Sequence, residues 1–224
     1  MLPREAEWFG AVLSVCADAE LFPFLHVGSQ SEHFRCRVQP WIEQAIFAPL
    51  RRRGGPIVHL DLYPAPGVDL VGDICDPRLL QELERTRWQA IMCCNVLEHV
   101  GAPRSLAEHL LRLLAPGGLL FVSCPYRFPW HPDPIDNGLR PDVQELAAFF
   151  PGTDMVHGAR VAGGTLTGYL LARGWSCAPV AGGASHAQPG KSVPTYSERV
   201  KHLLGSLPWL VRQFWVSCLV VRKR

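Results

Sequence analysis

The segment CCNVLEHVGAPRSLAEHLLRLLAPGGLLFVSCPYRFPWHPDPIDN, residues 93–137, contains the clearest fold signal in the chain. It opens on the end of an apolar run, WQAIMCC (88–94). A polar turn follows, and then residues 102–114 carry leucines at helical spacing. Pro116-Gly117-Gly118 stops that helix, and a second apolar run, GGLLFVSC (117–124), starts there. The segment ends in a loop crowded with Trp, His and Asp, with four prolines between positions 125 and 134. Such a loop is stiff and extended, because each proline ring fixes its own φ. Strand, helix and strand in this order make a β-α-β unit, whose two strands run parallel.

The same alternation extends in both directions. Further strands are predicted at FLHVG (24–28), PIVHLDL (56–62), VDLVGDI (68–74), WSCAPVA (175–181) and FWVSCLVV (214–221). Most are continuous apolar runs, as expected when helices cover both faces of a sheet. Helices are predicted at 38–53, 77–86, 141–150 and 163–174. Asp76 is placed to cap the second of these, with Pro77 at its first position. The pattern predicts an α/β fold in which a seven-stranded, mostly parallel sheet lies between helical layers. An alternative register starts the sheet at PIVHLDLY, but it leaves the sheet one strand short. Residues 3–20, with Trp8, Phe9, Val12 and Leu13, then form a helix ahead of the sheet. Residues 182–208, a Gly-Ser-Pro-rich piece and the helix TYSERVKHLLGSL, read as an insertion before the last strand. The whole chain, 1–224, reads as one domain.

The bulk composition excludes several classes. A formal charge of +2 is too small to call for a nucleic-acid partner. No segment is long and apolar enough to predict stable membrane insertion. The N-terminus lacks a basic region followed by an apolar run, so a cytoplasmic location is expected. The eight cysteines are scattered without a C-x-x-C pair and read as reduced and mostly buried. No metal site is expected, and the chain is expected to be a monomer or a homodimer.

In open α/β sheets, ligands bind outside the carboxyl ends of the strands. The residues there are the candidates. After the first strand, Gly28 permits a sharp turn and Ser29 adds a hydroxyl. The G-x-G of a pyrophosphate cradle is absent. After the second strand comes Asp61, with Leu62; a carboxylate at this point can accept two hydrogen bonds from a vicinal diol. After the third, Asp73 is placed to accept an exocyclic amine while Ile74 covers a ring face. After the fourth come Asn95 and Val96, with Glu98 and His99 one turn on. The loop after the fifth offers Tyr126, Phe128, Trp130, His131, Asp133, Asp136 and Asn137.

Together, VDLVGDICDP, NVLEHV, the Leu-x-Pro-Gly-Gly strand start and the HPDPID loop resemble the class I S-adenosylmethionine-dependent methyltransferases. The resemblance is clearest over residues 56–152. It implies a Rossmann-like fold and S-adenosylmethionine as cofactor. It also implies that Gly28 and Ser29 lie at the methionine end, Asp61 and Leu62 at the ribose, Asp73 and Ile74 at the adenine, and Asn95 with Val96 beside the methionine portion. The usual acidic-x-Gly-x-Gly-x-Gly motif is reduced to HVGSQSE. In this family, helices ahead of the sheet often lie over the active site, which makes residues 1–20 a lid.

Methyl transfer needs an in-line acceptor and excluded water more than it needs acid–base machinery. Aromatic faces stabilise a sulfonium, and Trp8, Phe9, Phe128 and Trp130 are the candidates, with Asp136 and Asn137 beside them in the substrate pocket. A hydroxyl acceptor also needs a base, for which His131, Asp133 and His99 are the options, and His131, Asp133 and the aromatic Tyr126 are the expected catalytic residues. The expected activity is methylation of a small metabolite or saccharide. The alternative is intramolecular attack of the cofactor's own amine, releasing methylthioadenosine. A third reading is a non-catalytic binding module.

Overall fold

The computed structural model describes residues 1–131, 135–168 and 207–224. Two helices, α1 (Pro3–Val15) and α2 (Asp18–Leu21), precede strand β1 (Phe24–Val27). Four short helical pieces follow, with α3 (Pro40–Ile42) and α4 (Ala48–Arg52) each preceded by a π-helical turn, Phe34–Val38 and Glu43–Phe47. The uninterrupted helix predicted over 38–53 is broken because Pro40 and Pro49 have no N–H to donate to the helical ladder. Then come β2 (Ile57–Asp61), β3 (Leu70–Val71), α5 (Pro77–Leu83), β4 (Trp88–Cys94), α6 (Pro103–Leu113) and β5 (Leu114–Arg127). The chain continues through α7 (Val143–Ala147) and β6 (Thr153–Gly164) to β7 (Phe214–Lys223). Asp76 caps α5 as expected, accepting the Arg78 N–H at 2.7 Å.

The seven strands form one sheet in the order β3-β2-β1-β4-β5-β7-β6. β1 pairs in parallel with both β2 and β4, and β4 pairs in parallel with β5. β7 alone is reversed, antiparallel to β5 on one side and β6 on the other. The strand order reverses between β1 and β4, which places the switch point of the sheet at their carboxyl ends.

The strand expected at 175–181 lies outside the described residues, as do half of the 163–174 helix and nearly all of the 182–208 insertion. Among the described residues the strand beside β7 is TDMVHGARVAGG, and residues 163–164, expected to open a helix, end it. Three of its twelve residues are glycine, half are exposed and none is buried, so it lacks the apolar run that marks the central strands.

Successive strand residues point to opposite faces, and this alternation builds two cores. Leu120, Val122 and Cys124 of β5 pack on one face with Leu80, Leu106, Leu110 and Leu146. Leu119 and Phe121 pack on the other with Phe9, Leu13, Phe24 and Phe47. Each such side chain contributes about 1.5–3 kcal/mol by leaving water. Helix α1 belongs to the second core through Ala6, Phe9 and Leu13.

Candidate active site at the carboxyl ends of the strands

Three strands end in an open, carboxylate-bearing edge. Gly28, after β1, has φ +71°, and a Cβ there would stand 2.5 Å from Val96 Cγ2. Only glycine fits both restraints. Gln30 is also left-handed, with φ 56°. Its N–H donates to Asp61 Oδ2 at 2.7 Å, and the Tyr63 N–H reaches Asp61 Oδ1 at 3.3 Å. Asp61 thus keeps lone pairs to offer. The buried Ser29 donates its N–H to the Leu60 carbonyl at 3.1 Å. Leu62 is half exposed.

A buried arginine that sequence reasoning missed stitches these loops together. Arg35 Nη1 donates to the carbonyls of Ser29, at 3.0 Å, and Gln30, and Nη2 donates to Gly67 at 2.7 Å. Burial holds its guanidinium below the usual arginine value. Beyond β3, Asp73 is exposed and accepts the Cys75 N–H at 2.8 Å. Ile74, expected on a ring face, is buried in the core cluster with Leu80 and Leu83.

The ends of β4 and β5 are covered instead. Asn95 is left-handed, with φ 54°. Its Nδ2 donates to Glu5 Oε1 at 2.8 Å, and Ser123 Oγ donates to the same oxygen at 2.5 Å. Glu5 Oε2 accepts the Leu2 N–H at 2.9 Å. Glu5 is 1 % exposed, so α1 is fastened across these two strands by a fully satisfied carboxylate. The available signal was its position on the apolar stripe, one turn before Phe9. Trp8 is half-buried and meets Phe9 edge-on at 4.9 Å. Phe9 itself is a core ring against Phe121 rather than a pocket wall, because its surface is wholly buried between helix and sheet.

The opposite face of the same strand ends holds a second polar cluster. Glu98, in the turn Leu97–His99, is 0 % exposed. Among the described residues its Oε1 has no hydrogen-bond partner, and Oε2 accepts from the Cys124 thiol at 3.8 Å. Burial pushes its carboxyl up to about 8. His99 Nδ1 lies 2.5 Å from the Ile135 carbonyl, and Nε2 lies 3.7 Å from Glu98 Oε1. His131 meets His99 edge-on, with ring centroids 5.0 Å apart. Its Nδ1 is 3.2 Å from the Pro129 carbonyl and 3.3 Å from Asp136 Oδ2. Burial lowers the His131 value, which keeps the ring neutral.

Asp136 and Asn137, expected in the substrate pocket, bond within the fold and hold the loop. Burial alone would raise Asp136, but the Arg140 guanidinium and the Gly138 and His131 amides hold it down at about 2. Asn137 Nδ2 donates to the carbonyls of Leu97 and Val100, each at 2.8 Å, so both of its amide protons are used within the fold. The Tyr126 hydroxyl accepts from Arg160 at 3.3 Å. Phe128 packs on Phe214, with centroids 4.7 Å apart, and Trp130 is 57 % exposed. Asp133 lies outside the described residues.

A cavity of about 540 Å³ runs along the β2 side of the sheet, lined by Arg35, Arg51, Gly54, Gly55, His59 and Gly67. Gly54 and Gly55 precede β2, so one end of this space reaches the amino end of the sheet, while Arg35 and Gly67 belong to the loops tied together near its carboxyl ends.

A family model described as a methyltransferase domain matches residues 25–167. No curated protein matches the chain. Among solved structures, a putative sarcosine dimethylglycine methyltransferase from Galdieria sulphuraria is 12 % identical, with 98 % of this chain and 84 % of that chain covered and a TM-score of 0.57. The MccD protein is 11 % identical, with 98 % and 96 % covered and a TM-score of 0.52. At these identities the likeness concerns the fold.

Proposed function

We infer that this chain, which belongs to the methyltransferase-domain family and to the class I S-adenosylmethionine-dependent fold, moves the cofactor's methyl group to a small-molecule acceptor. The observation that carries this reading is the unequal covering of the strand ends. The β1–β3 side is open and presents Asp61 and Asp73. The β4–β5 side is roofed by α1 through Glu5 and flanked by the loop after β5. An open side suits the nucleoside, and a roofed side suits the reacting sulfonium, where water must be kept out.

In this reading Asp61 accepts the ribose hydroxyls and Asp73 the adenine amine. Gly28, Ser29, Asn95 and Val96 surround the methionine arm. Trp8, Phe128 and Trp130 flank the acceptor. The fixed roof supports an acceptor of metabolite or saccharide size, since α1 is held by core side chains as well as by Glu5. Proximity and in-line alignment supply most of the rate.

The test is to incubate the purified protein with S-adenosylmethionine, alone and with panels of metabolites and saccharides, and to identify the nucleoside product by mass spectrometry. S-adenosylhomocysteine that accumulates only when an acceptor is added is the expected result. Rapid acceptor-free release of methylthioadenosine would replace the reading by intramolecular attack of the cofactor's amine. Calorimetry that shows no binding of either nucleoside would remove it.

A further inference from the structure

We propose that Glu98, His99 and His131 form a binding site for a divalent transition-metal ion, between the turn after β4 and the loop after β5. One carboxylate oxygen and one nitrogen from each ring lie within 4.8 Å of one another. Three ligands around one ion at bond lengths of about 2.0–2.2 Å stand somewhat closer than that limit, so a small inward movement completes the site.

Three independent features point to a cation rather than to an accidental cluster. The first is Glu98 Oε1, a fully buried oxygen without a hydrogen-bond partner among the described residues. A buried acceptor left bare is costly, and native proteins rarely tolerate one without a function. The nearby cation does not relieve it. Arg140 commits its guanidinium nitrogens to Asp136 and to the carbonyls of Phe128, Pro129 and Leu139.

The second feature is how the imidazoles are held. His99 Nδ1 faces the Ile135 carbonyl at 2.5 Å, and a carbonyl can only accept, so Nδ1 carries the proton. Nε2 then bears the lone pair, 3.7 Å from the bare Glu98 oxygen. His131 Nδ1 is placed in the same way by the Pro129 carbonyl and by Asp136. A ring nitrogen fixed by a carbonyl or carboxylate, with the other nitrogen turned to the site, is the usual support of a metal-binding histidine. Arg140 and two backbone amides hold Asp136 in turn.

The third feature is access. Glu98 is sealed, but the side chains of His99 and His131 are 18 % and 28 % exposed. An ion can enter from the histidine side, and three protein ligands leave at least one position for water or another oxygen donor. Two imidazoles and one carboxylate suit Zn²⁺, Fe²⁺ or Co²⁺ and disfavour Mg²⁺, which prefers oxygen. This replaces the expectation, drawn from the sequence, that the chain has no metal site.

The site is defined by binding, so its test does not depend on the transfer reaction. Chelator-treated protein is titrated with Co²⁺ while the d–d absorption is followed, and Zn²⁺ and Mg²⁺ are then added as competitors. One equivalent of Co²⁺ with ligand-field bands, displaced by Zn²⁺ but not by Mg²⁺, is the expected result. Glu98→Gln and His131→Ala should each weaken binding more than 10-fold, and Asp136→Asn on the order of 10-fold through the ring it supports. His157→Ala, on exposed β6, should leave binding unchanged. Circular dichroism confirms that each variant is folded. Absence of ligand-field absorption in the unmodified protein overturns the proposal. So does Co²⁺ binding that survives His131→Ala, or loss of binding in His157→Ala.

Discussion

Two glutamates lie buried at the carboxyl ends of the same two strands, on opposite faces of the sheet. Glu5 meets Ser123 and Glu98 meets Cys124, neighbours on β5 whose side chains point opposite ways. Glu5 is 1 % exposed and Glu98 is 0 % exposed, so burial does not distinguish them. Their partners do. Glu5 receives hydrogen bonds from Leu2, Asn95 and Ser123 on both of its oxygens. Glu98 keeps one oxygen bare. A buried carboxylate whose hydrogen bonds are complete is part of the architecture. One that is incomplete is an energetic cost, and folds keep such costs where a ligand or a reaction removes them.

The sharpest break of this contrast is Glu5→Ala. It would strand the Asn95 amide, the Ser123 hydroxyl and the Leu2 N–H together in the core. A loss of about 3–5 kcal/mol is expected, the range for removing one member of a buried polar set. Urea denaturation measures it. A loss under about 1 kcal/mol would mean that α1 is held by its apolar residues alone, and that Glu5 is no different from Glu98.

Glu98→Gln should change stability in the opposite direction. The folded carboxyl is raised to about 8 from an ordinary 4.5, so its contribution is most favourable below 4.5 and is lost as pH rises toward 8. The amide never ionises and has no such loss. In chelator-treated protein near pH 7.5 the variant should therefore be more stable, by on the order of 3 kcal/mol, with the gain shrinking toward zero at pH 4.5. Paired thermal melts across that range test it. A variant less stable than the parent at every pH would place a satisfied carboxylate at Glu98.

A third buried pair shows what complete mutual satisfaction looks like without a carboxylate. His26 Nδ1 and His59 Nδ1 are 3.1 Å apart, one donating and one accepting, which requires the accepting ring to be neutral. Burial, then its neighbours Arg35 and Arg51, lower His59 to about 4. His26 is also held well below the ordinary histidine value, by burial and then by His59. Unfolded histidines take up protons below about 6.5 while these resist, so stability is complete above 6.5 and falls as pH drops toward 4. His59 alone should contribute about 3 kcal/mol to that fall. His59→Gln should flatten the descent of the melting temperature between pH 6.5 and 4. An unchanged slope would mean that the pair titrates freely.

Much of this architecture was legible in the chain, and the exceptions have physical causes. The central strands show themselves because both of their faces are buried, so FLHV, IVHLD and LLFVSC are nearly unbroken apolar runs. The strand at β6 did not, because its exposed, glycine-rich sequence carries no such signal. Candidates fixed by chain position, such as Asp61 and Asn95, were found where strand ends predicted them. Arg35, Glu5 and the bare oxygen of Glu98 were not. Their roles depend on partners up to 118 residues away, and local patterns do not encode those contacts. The partners of Asn137 and Asp136 were hidden for the same reason, since these carbonyls, amides and guanidinium meet them only once the loop is folded.

Asp61 stands between the two glutamates and gives the smallest expected effect. It is half-buried, with one strong backbone donor, Gln30 N at 2.7 Å, and one long one, Tyr63 N at 3.3 Å. A carboxylate offers about four lone-pair sites, so roughly two are left for a vicinal diol at the open edge. If incompleteness marks function, Asp61→Ala should cost ligand affinity while sparing the fold. Charge-assisted bonds to a ribose are worth about 1.5–3 kcal/mol, or about a 10- to 100-fold weaker Kd for S-adenosylhomocysteine by calorimetry. Losing the Gln30 bond should lower stability by only about 1 kcal/mol, since the buried Arg35 still ties the Ser29 and Gln30 carbonyls to Gly67. The two measurements separate the roles. A large drop in melting temperature with unchanged Kd would make Asp61 a loop clamp like Glu5, and would move the ribose site away from the end of β2.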